Sequence, residues 1–310
     1  GSEGSLDGRG GEGKEKKGGR LVLGVRPTVL LCVALASCFS FLLGYDIGVM
    51  SGAKREVARE MDLSTAELEL LVGSLNIVSG FGGLLAGPLA DRLGRKPTAA
   101  LATLSALIGC LLMACAESFG PLLAGRVVSG VGVGGCFQLA PLYISEVSPR
   151  ALRGMLLSSF DLFINLGILV GFLAGYALQS RPDAPGGWGW RWMLGLGAIP
   201  PALLLLGLCH MPESPRFLVA SKREREARCV LASIYESEEA QTTLAMLQED
   251  VREHARLPLL ASLRGVFCPP RGAGRALVVA GLGVALCQQV RRGRGRIGAG
   301  VGGGGERERE

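Results

Sequence analysis

Gly87-Pro88-Leu89-Ala90-Asp91-Arg92-Leu93-Gly94-Arg95-Lys96 is the stretch on which the reading of the chain turns. It joins two long apolar runs, residues 68–89 and 98–116, and leaves room between them only for a tight turn at a membrane surface. Three cations, Arg92, Arg95 and Lys96, crowd into five residues. Short loops on the cytoplasmic side of a membrane carry such an excess of Lys and Arg, so the turn is expected there. Asp91 closes the first run and is expected to face the start of the second, where a helix N-terminus favours an anion.

Working outward from this turn, further apolar runs occupy residues 28–50, 119–144, 154–176 and 191–208. Each is long enough to cross about 30 Å of hydrocarbon as a helix. A seventh run, 273–287, is short. The chain has 310 residues, 48% of them hydrophobic, and a net charge of +6. The placement of that charge carries more than its size. Lys14, Lys16, Lys17, Arg20 and Arg26 precede the first run, and Arg150 and Arg153 follow the fourth. With a cytoplasmic N-terminus these segments and the 87–96 turn fall on one side; Lys54, Arg55 and Arg59, diluted by Glu56, Glu60 and Asp62, run mildly against the pattern. The first run is too long for the apolar core of a signal peptide and reads as a transmembrane helix. Basic residues scattered over loops rather than gathered on one face speak against a nucleic-acid partner. Nine cysteines, mostly inside the runs and never as C-x-x-C, together with two distant histidines, suggest neither a disulfide framework nor a metal site, and no cofactor is expected.

The expected organisation follows. Residues 1–26 are a disordered tail. Residues 27–211 form a six-helix transmembrane bundle, and 212–272 a cytoplasmic segment of one to three amphipathic helices. Residues 273–289 make a partial seventh span, and 290–310 are low in complexity, rich in Arg, Gly and Glu. Glycines fill the apolar runs, where they permit close helix contact; Gly167, Gly171 and Gly175 recur every fourth residue and form one smooth face. Gly130-x-Gly132-x-x-Gly135 matches a dinucleotide-binding pattern in letters only, since it lies inside a continuous apolar run with no strand before it.

Charges inside a membrane are costly and so mark function. Asp46 stands about seven residues beyond the middle of the first run, roughly 10 Å toward the outer face at 1.5 Å per residue. Arg126, in a run of opposite direction, lies roughly 7–8 Å outside the midplane by the same rise. The two opposite charges thus share a depth. A structural ion pair is one reading; a proton site, in which protonation of Asp46 releases its helix from Arg126, is the sharper one. Asp161 and Asn165 stand one helical turn apart and suit hydroxyl recognition, as do the amides Gln288 and Gln289; Gln138 and Asn76 are weaker candidates.

The stretches Gly44-Tyr45-Asp46-Ile47-Gly48-Val49-Met50-Ser51-Gly52, Gly125-Arg126, Ser145-Glu146-Val147-Ser148-Pro149, Arg153-Gly154, Phe160-Asp161-Leu162-Phe163-Ile164-Asn165, Gly189-Trp190-Arg191, Pro212-Glu213-Ser214-Pro215-Arg216 and Gln288-Gln289 resemble, in order and spacing, the sugar-porter branch of the major facilitator superfamily, notably plant-type polyol/monosaccharide–proton symporters. The resemblance covers about residues 28–289. It implies an all-α polytopic membrane protein in which two six-helix bundles rock around a midplane sugar site. Carried onto this chain, it makes Asp46 the proton acceptor and Arg126 its modulator, with Asp161, Asn165, Gln288 and Gln289 binding substrate. It places Asp91, Arg92, Arg95, Glu146, Arg153, Glu213 and Arg216 in a cytoplasmic gate. It implies a non-enzymatic carrier whose partners are a sugar or polyol, protons and the lipid bilayer, in the plasma membrane rather than an organelle. After Gln289 the sequence departs from the family pattern, so the chain is expected to lack the second bundle and not to transport alone. A non-transporting membrane sugar sensor, or a partner of full-length carriers, is the alternative.

Overall fold

The computed structural model describes residues 26–149, 151–179, 188–235 and 237–255. Among them every regular element is helical: α1 Pro27–Glu60, α2 Thr65–Leu93, α3 Arg95–Ala114, α4 Phe119–Val147, α5 Arg153–Gln179, α6 Trp188–Leu196, α7 Ile199–Leu208, α8 Pro215–Ala220, α9 Glu224–Ile234 and α10 Ser237–Ala255. Helices α1–α9 lie in the first of two compact units, residues 1–248; the end of α10 falls in the second. Helices α1 to α5 and the segment Gly189–Leu208, six in all among the described residues, are long and apolar enough to cross a membrane. The protein is therefore a multi-pass membrane protein. The tail 1–25, the seventh run, Gln288, Gln289 and residues 290–310 lie outside the described residues.

Local signals start the helices where the sequence has them. Pro27 takes the first position of α1, where its missing N–H removes no helical bond. Ser64 and Glu67 form a reciprocal capping box at α2, each side chain meeting the other's backbone N–H. Helix α1 does not stop at Met50, where the apolar run ends, but continues to Glu60. Hydropathy reports the depth of the membrane, not the end of the helix. Residues 53–60 contain no proline or glycine, and Lys, Arg, Glu and Ala sustain the helix in water.

The run 191–208, read as one helix, is two. Gly197 and Ala198 interrupt it, their N–H groups bonding back to Leu194 O at 3.0 Å and Gly195 O at 2.9 Å. Pro200 and Pro201 follow, and with no N–H to donate they cannot continue the ladder of the preceding turn.

Helix packing follows from the glycines. Helix α1 lies mainly along α5, and α4 is wedged between α2 and α3. On α1, Gly44, Gly48 and Gly52 face Gly167, Gly171 and Gly175 of α5. A Cβ on Gly44 would stand 2.1 Å from Ile164 O, and one on Gly171 2.6 Å from Tyr45 O. The triplet on α4 serves the same end: Gly132 admits the Ala106 backbone of α3, while Gly130 receives Val78 of α2. With both backbones in contact, dispersion replaces the hydrophobic effect that lipid cannot supply. Two apolar cores result. One gathers Phe39, Leu139, Tyr143 and Ile144; the other gathers Tyr45, Leu71, Met113, Trp190 and Met193.

Candidate functional site

Asp46 and Arg126, the acid of α1 and the base of α4, meet inside the bundle. Arg126 Nη1 donates to Asp46 Oδ1 at 2.8 Å and to Oδ2 at 2.7 Å. Arg126 is 1% exposed and Asp46 9%. The geometry is one nitrogen against two oxygens, not the fork of two parallel bonds that arginine can make. Arg126 Nε and Nη2 are buried with no hydrogen-bond partner among the described residues. The pair is thus well shielded but incompletely locked.

A second charged cluster sits where the α2–α3 turn meets the end of α4 and the start of α8. Arg95 is its hub. Its Nε and Nη2 donate to Glu146 Oε2 at 3.0 Å and Oε1 at 2.9 Å, a true fork. Its Nη1 reaches Ala90 O at 2.9 Å and Asp91 Oδ1 at 3.1 Å, and Phe217 lies against the guanidinium. Both members of the Arg95–Glu146 pair are buried, their side chains 8% and 5% exposed. Glu213 completes the cluster from the other side: it accepts the N–H of Arg95 at 2.9 Å and of Lys96 at 3.2 Å. Tyr143 ties α4 to the same segment by donating to Pro212 O at 2.9 Å.

This corrects the expectation for Asp91. The anion at the N-terminus of α3 is Glu213, and Asp91 instead turns to the Arg95 side chain with its own carboxylate 71% exposed. The cause is the turn itself. Asp91 still belongs to the last turn of α2, and Gly94 is the only residue between the two helices. Gly94 has φ +107°, a backbone that side-chain-bearing residues rarely adopt, and a Cβ there would sit 2.5 Å from Glu213 Oε2. Gly94→Ala is expected to destabilise the protein by about 1–3 kcal/mol. A thermal unfolding midpoint in detergent equal to that of the unsubstituted protein would show the turn tolerates a side chain.

The remaining candidates are not gathered with these. Arg92 and Arg153 are exposed, and among the described residues neither joins the Arg95 cluster. Arg216 is half-buried in the first turn of α8. Asp161 and Asn165 project from α5 on a face turned away from the glycine seam, both exposed, with Asn165 Nδ2 donating to Asp161 O at 2.8 Å. Gln138 of α4 is exposed, and its neighbour Phe137 packs on Phe160, beside Asp161, at 5.1 Å.

The model of the family described as "Sugar (and other) transporter" matches residues 31–291. The chain belongs to the sugar (and other) transporter family. The family is one of transporters, not enzymes. Among its relatives, "Probable polyol transporter 4" of Arabidopsis thaliana is 38% identical over 266 residues, 86% of this chain and 50% of that protein. "Putative polyol transporter 1" of the same plant is 45% identical over 200 residues, 64% of this chain and 39% of the relative. Among solved structures, the major facilitator superfamily proton:xylose symporter XylE, bound to 6-bromo-6-deoxy-D-glucose, superposes with a TM-score of 0.72 at 25% identity, covering 77% of this chain and 56% of that one. The partially occluded inward-open xylose transporter XylE from E. coli gives 0.68 at 26% identity, covering 74% of this chain and 60% of that one. The chain spans about half the length of the curated relatives it matches. The all-α major facilitator fold is thus that of this family member.

Sequence reasoning missed three partners in these clusters. Ser129, one turn after Arg126, is buried beside the ion pair; a polar residue one turn from an intramembrane charge was the available signal. Phe217 carried no signal beyond its apolar character, and the Tyr143 hydroxyl none that named Pro212 O as its partner. At the opposite end of the bundle, Glu60 at the tip of α1 accepts the Trp190 indole N–H and an Arg191 N–H, each at 2.5 Å, and Arg191 stacks over the Trp190 ring.

Proposed function

We propose that this chain forms the first bundle of a proton-coupled sugar or polyol carrier working by alternating access. The observation that carries the reading is the buried Asp46–Arg126 pair. An acid held in the membrane interior by a single arginine nitrogen gains little from a purely structural role, because the guanidinium keeps its other two nitrogens uncommitted. Protonation of Asp46 cancels its charge, weakens the tie between α1 and α4, and so biases one of two arrangements of the helices. Asp161 and Asn165, with Gln288 and Gln289, are the proposed sugar-hydroxyl ligands. The exposure of the first two on α5 supports a site shared with a partner surface. Arg95, with Asp91, Glu146 and Glu213, is the proposed inner gate, assisted by Arg92, Arg153 and Arg216. The N-terminus and the 212–272 segment are placed in the cytoplasm, and the protein in the plasma membrane.

The test joins residues 1–289 to the second half of a polyol transporter relative and reconstitutes the chimera in liposomes with an imposed pH gradient. Radiolabelled sorbitol, inositol, xylose and glucose are offered in turn. One proton per sugar across about two pH units can drive about 100-fold accumulation, since each unit is about 1.36 kcal/mol. Asp46→Asn is expected to reduce accumulation to equilibration while downhill exchange partly survives. Uphill uptake retained by the Asn variant would remove Asp46 from this role. Saturable sugar binding with no uptake at any gradient would favour a membrane sensor instead.

A further inference from the structure

Between α1, α3, α4 and the break separating α6 from α7 lies a cavity of about 20 Å³. Most of its wall is apolar, including Leu42, Met113 and Val133, but Asp46 and Ser129 both open onto it. Ser129 is 1% exposed, and its hydroxyl makes no hydrogen bond of ordinary geometry among the described residues; only the Cys110 thiol, a weak partner on the same wall, interacts with it. A helical serine in an apolar setting normally bonds back to a carbonyl in the preceding turn. Ser74, Ser145 and Ser159 all do so here, to Leu71 O, Leu142 O and Leu156 O. Ser129 departs from that habit and lines the cavity with a hydroxyl that meets only the weak Cys110 thiol. A buried hydroxyl left without a strong partner is costly, so an occupant that pairs with it is favoured.

Size and chemistry narrow the occupant. A water needs about 10–15 Å³ of such volume and two to four polar partners, and the cavity supplies the room and both Ser129 and Asp46. No organic ligand fits. A hard cation takes six or more oxygens, which this wall does not offer, and the Arg126 guanidinium on the same carboxylate repels it.

We propose that the cavity is a hydration site in which one water bridges Ser129 Oγ and the Asp46 carboxylate. Ser129 is then a positioning residue for Asp46. Where Asp46 is the proton acceptor, which is the reading proposed above, this one ordered molecule stands at the carboxylate while Arg126 holds its other side. The hydration site itself stands without that reading.

Synchrotron hydroxyl-radical footprinting of the 310-residue chain in lipid nanodiscs tests it, with side-chain oxidation read by mass spectrometry. An ordered water generates radicals in place, so a residue beside it is oxidised in spite of burial. Met113, 1% exposed and on the wall, is expected to be oxidised several-fold faster than Met211, 2% exposed and away from it. Ser129→Ala should bring Met113 down to the Met211 rate. Val133→Ile, which leaves Ser129 in place and fills the cavity, should do the same. Equal oxidation of Met113 and Met211 in the unsubstituted protein would overturn the proposal, as would a fast Met113 rate that survives both substitutions. No transport is measured, so failure here is distinguishable from failure of the proton-coupling reading.

Discussion

Arg95→Met is expected to destabilise the folded bundle by about 3–5 kcal/mol, the range for stripping one partner from a buried ion pair. The loss has a specific source. Glu146 has a side chain only 5% exposed, and both its oxygens accept from Arg95. With the guanidinium gone, a carboxylate is left in a poorly solvated pocket, and Ala90 O and Asp91 also lose a partner. For a unit of this size that corresponds to a fall of roughly 10 °C in the unfolding midpoint, measured in detergent by thermal scanning. The double variant Arg95→Met, Glu146→Met separates the pair from its desolvation. Replacing both charges by apolar side chains is often neutral, so the double variant should recover most of the loss. A double variant as unstable as Arg95→Met alone would assign the effect to packing against Phe217 instead.

Gly44→Leu is expected to be as damaging by a different route. Its Cβ would lie 2.1 Å from Ile164 O and 2.9 Å from the carbonyl carbon, both backbone atoms of α5 that cannot rotate away. The two helices must separate, and the loss is about 3 kcal/mol or more, at the upper end for overpacking. Size-exclusion chromatography of the solubilised protein should show a monodisperse peak replaced by aggregate. Gly80→Leu is the matched control, because a Cβ at Gly80 meets nothing within 4 Å, and such surface changes usually stay within about 0.5 kcal/mol. Equal behaviour of the two variants would discard the seam as a stabilising element.

What could be read from the residues divides along a physical line. Helical rise is local, so counting residues along two apolar runs brought Asp46 and Arg126 to one depth, and they meet at 2.7–2.8 Å. The four-residue period of Gly167, Gly171 and Gly175 was visible for the same reason. Its counterpart on α1 was obscured because Gly44, Gly48 and Gly52 bracket Tyr45 and Asp46, which draw attention to chemistry. The capping of α3 by Glu213 was not legible. The two partners are 118 residues apart, and although the family resemblance put both in one gate, no local signal states that Glu213 rather than Asp91 meets the backbone N–H groups of α3. Helix ends were misjudged wherever hydropathy stood in for hydrogen bonding: α1 outlasts its apolar run by ten residues, from Met50 to Glu60, and the run 191–208 breaks at Gly197.

The overhang of α1 has a mechanical consequence. Its 34 residues make a rod of about 51 Å, against roughly 30 Å of hydrocarbon. From Gly48, in the middle of the seam, to Glu60 at the tip is about 18 Å at 1.5 Å per residue, so a tilt of about 10° swings the tip by about 3 Å. Hydrogen bonds do not survive such a displacement. Glu60 would then let go of the Trp190 indole, which it holds beneath the Arg191 guanidinium. An indole that loses its carboxylate partner while keeping its stacked cation changes its emission, so Trp190, once Trp188 and Trp192 are replaced by Phe, becomes a label-free optical gauge of the angle of the first helix.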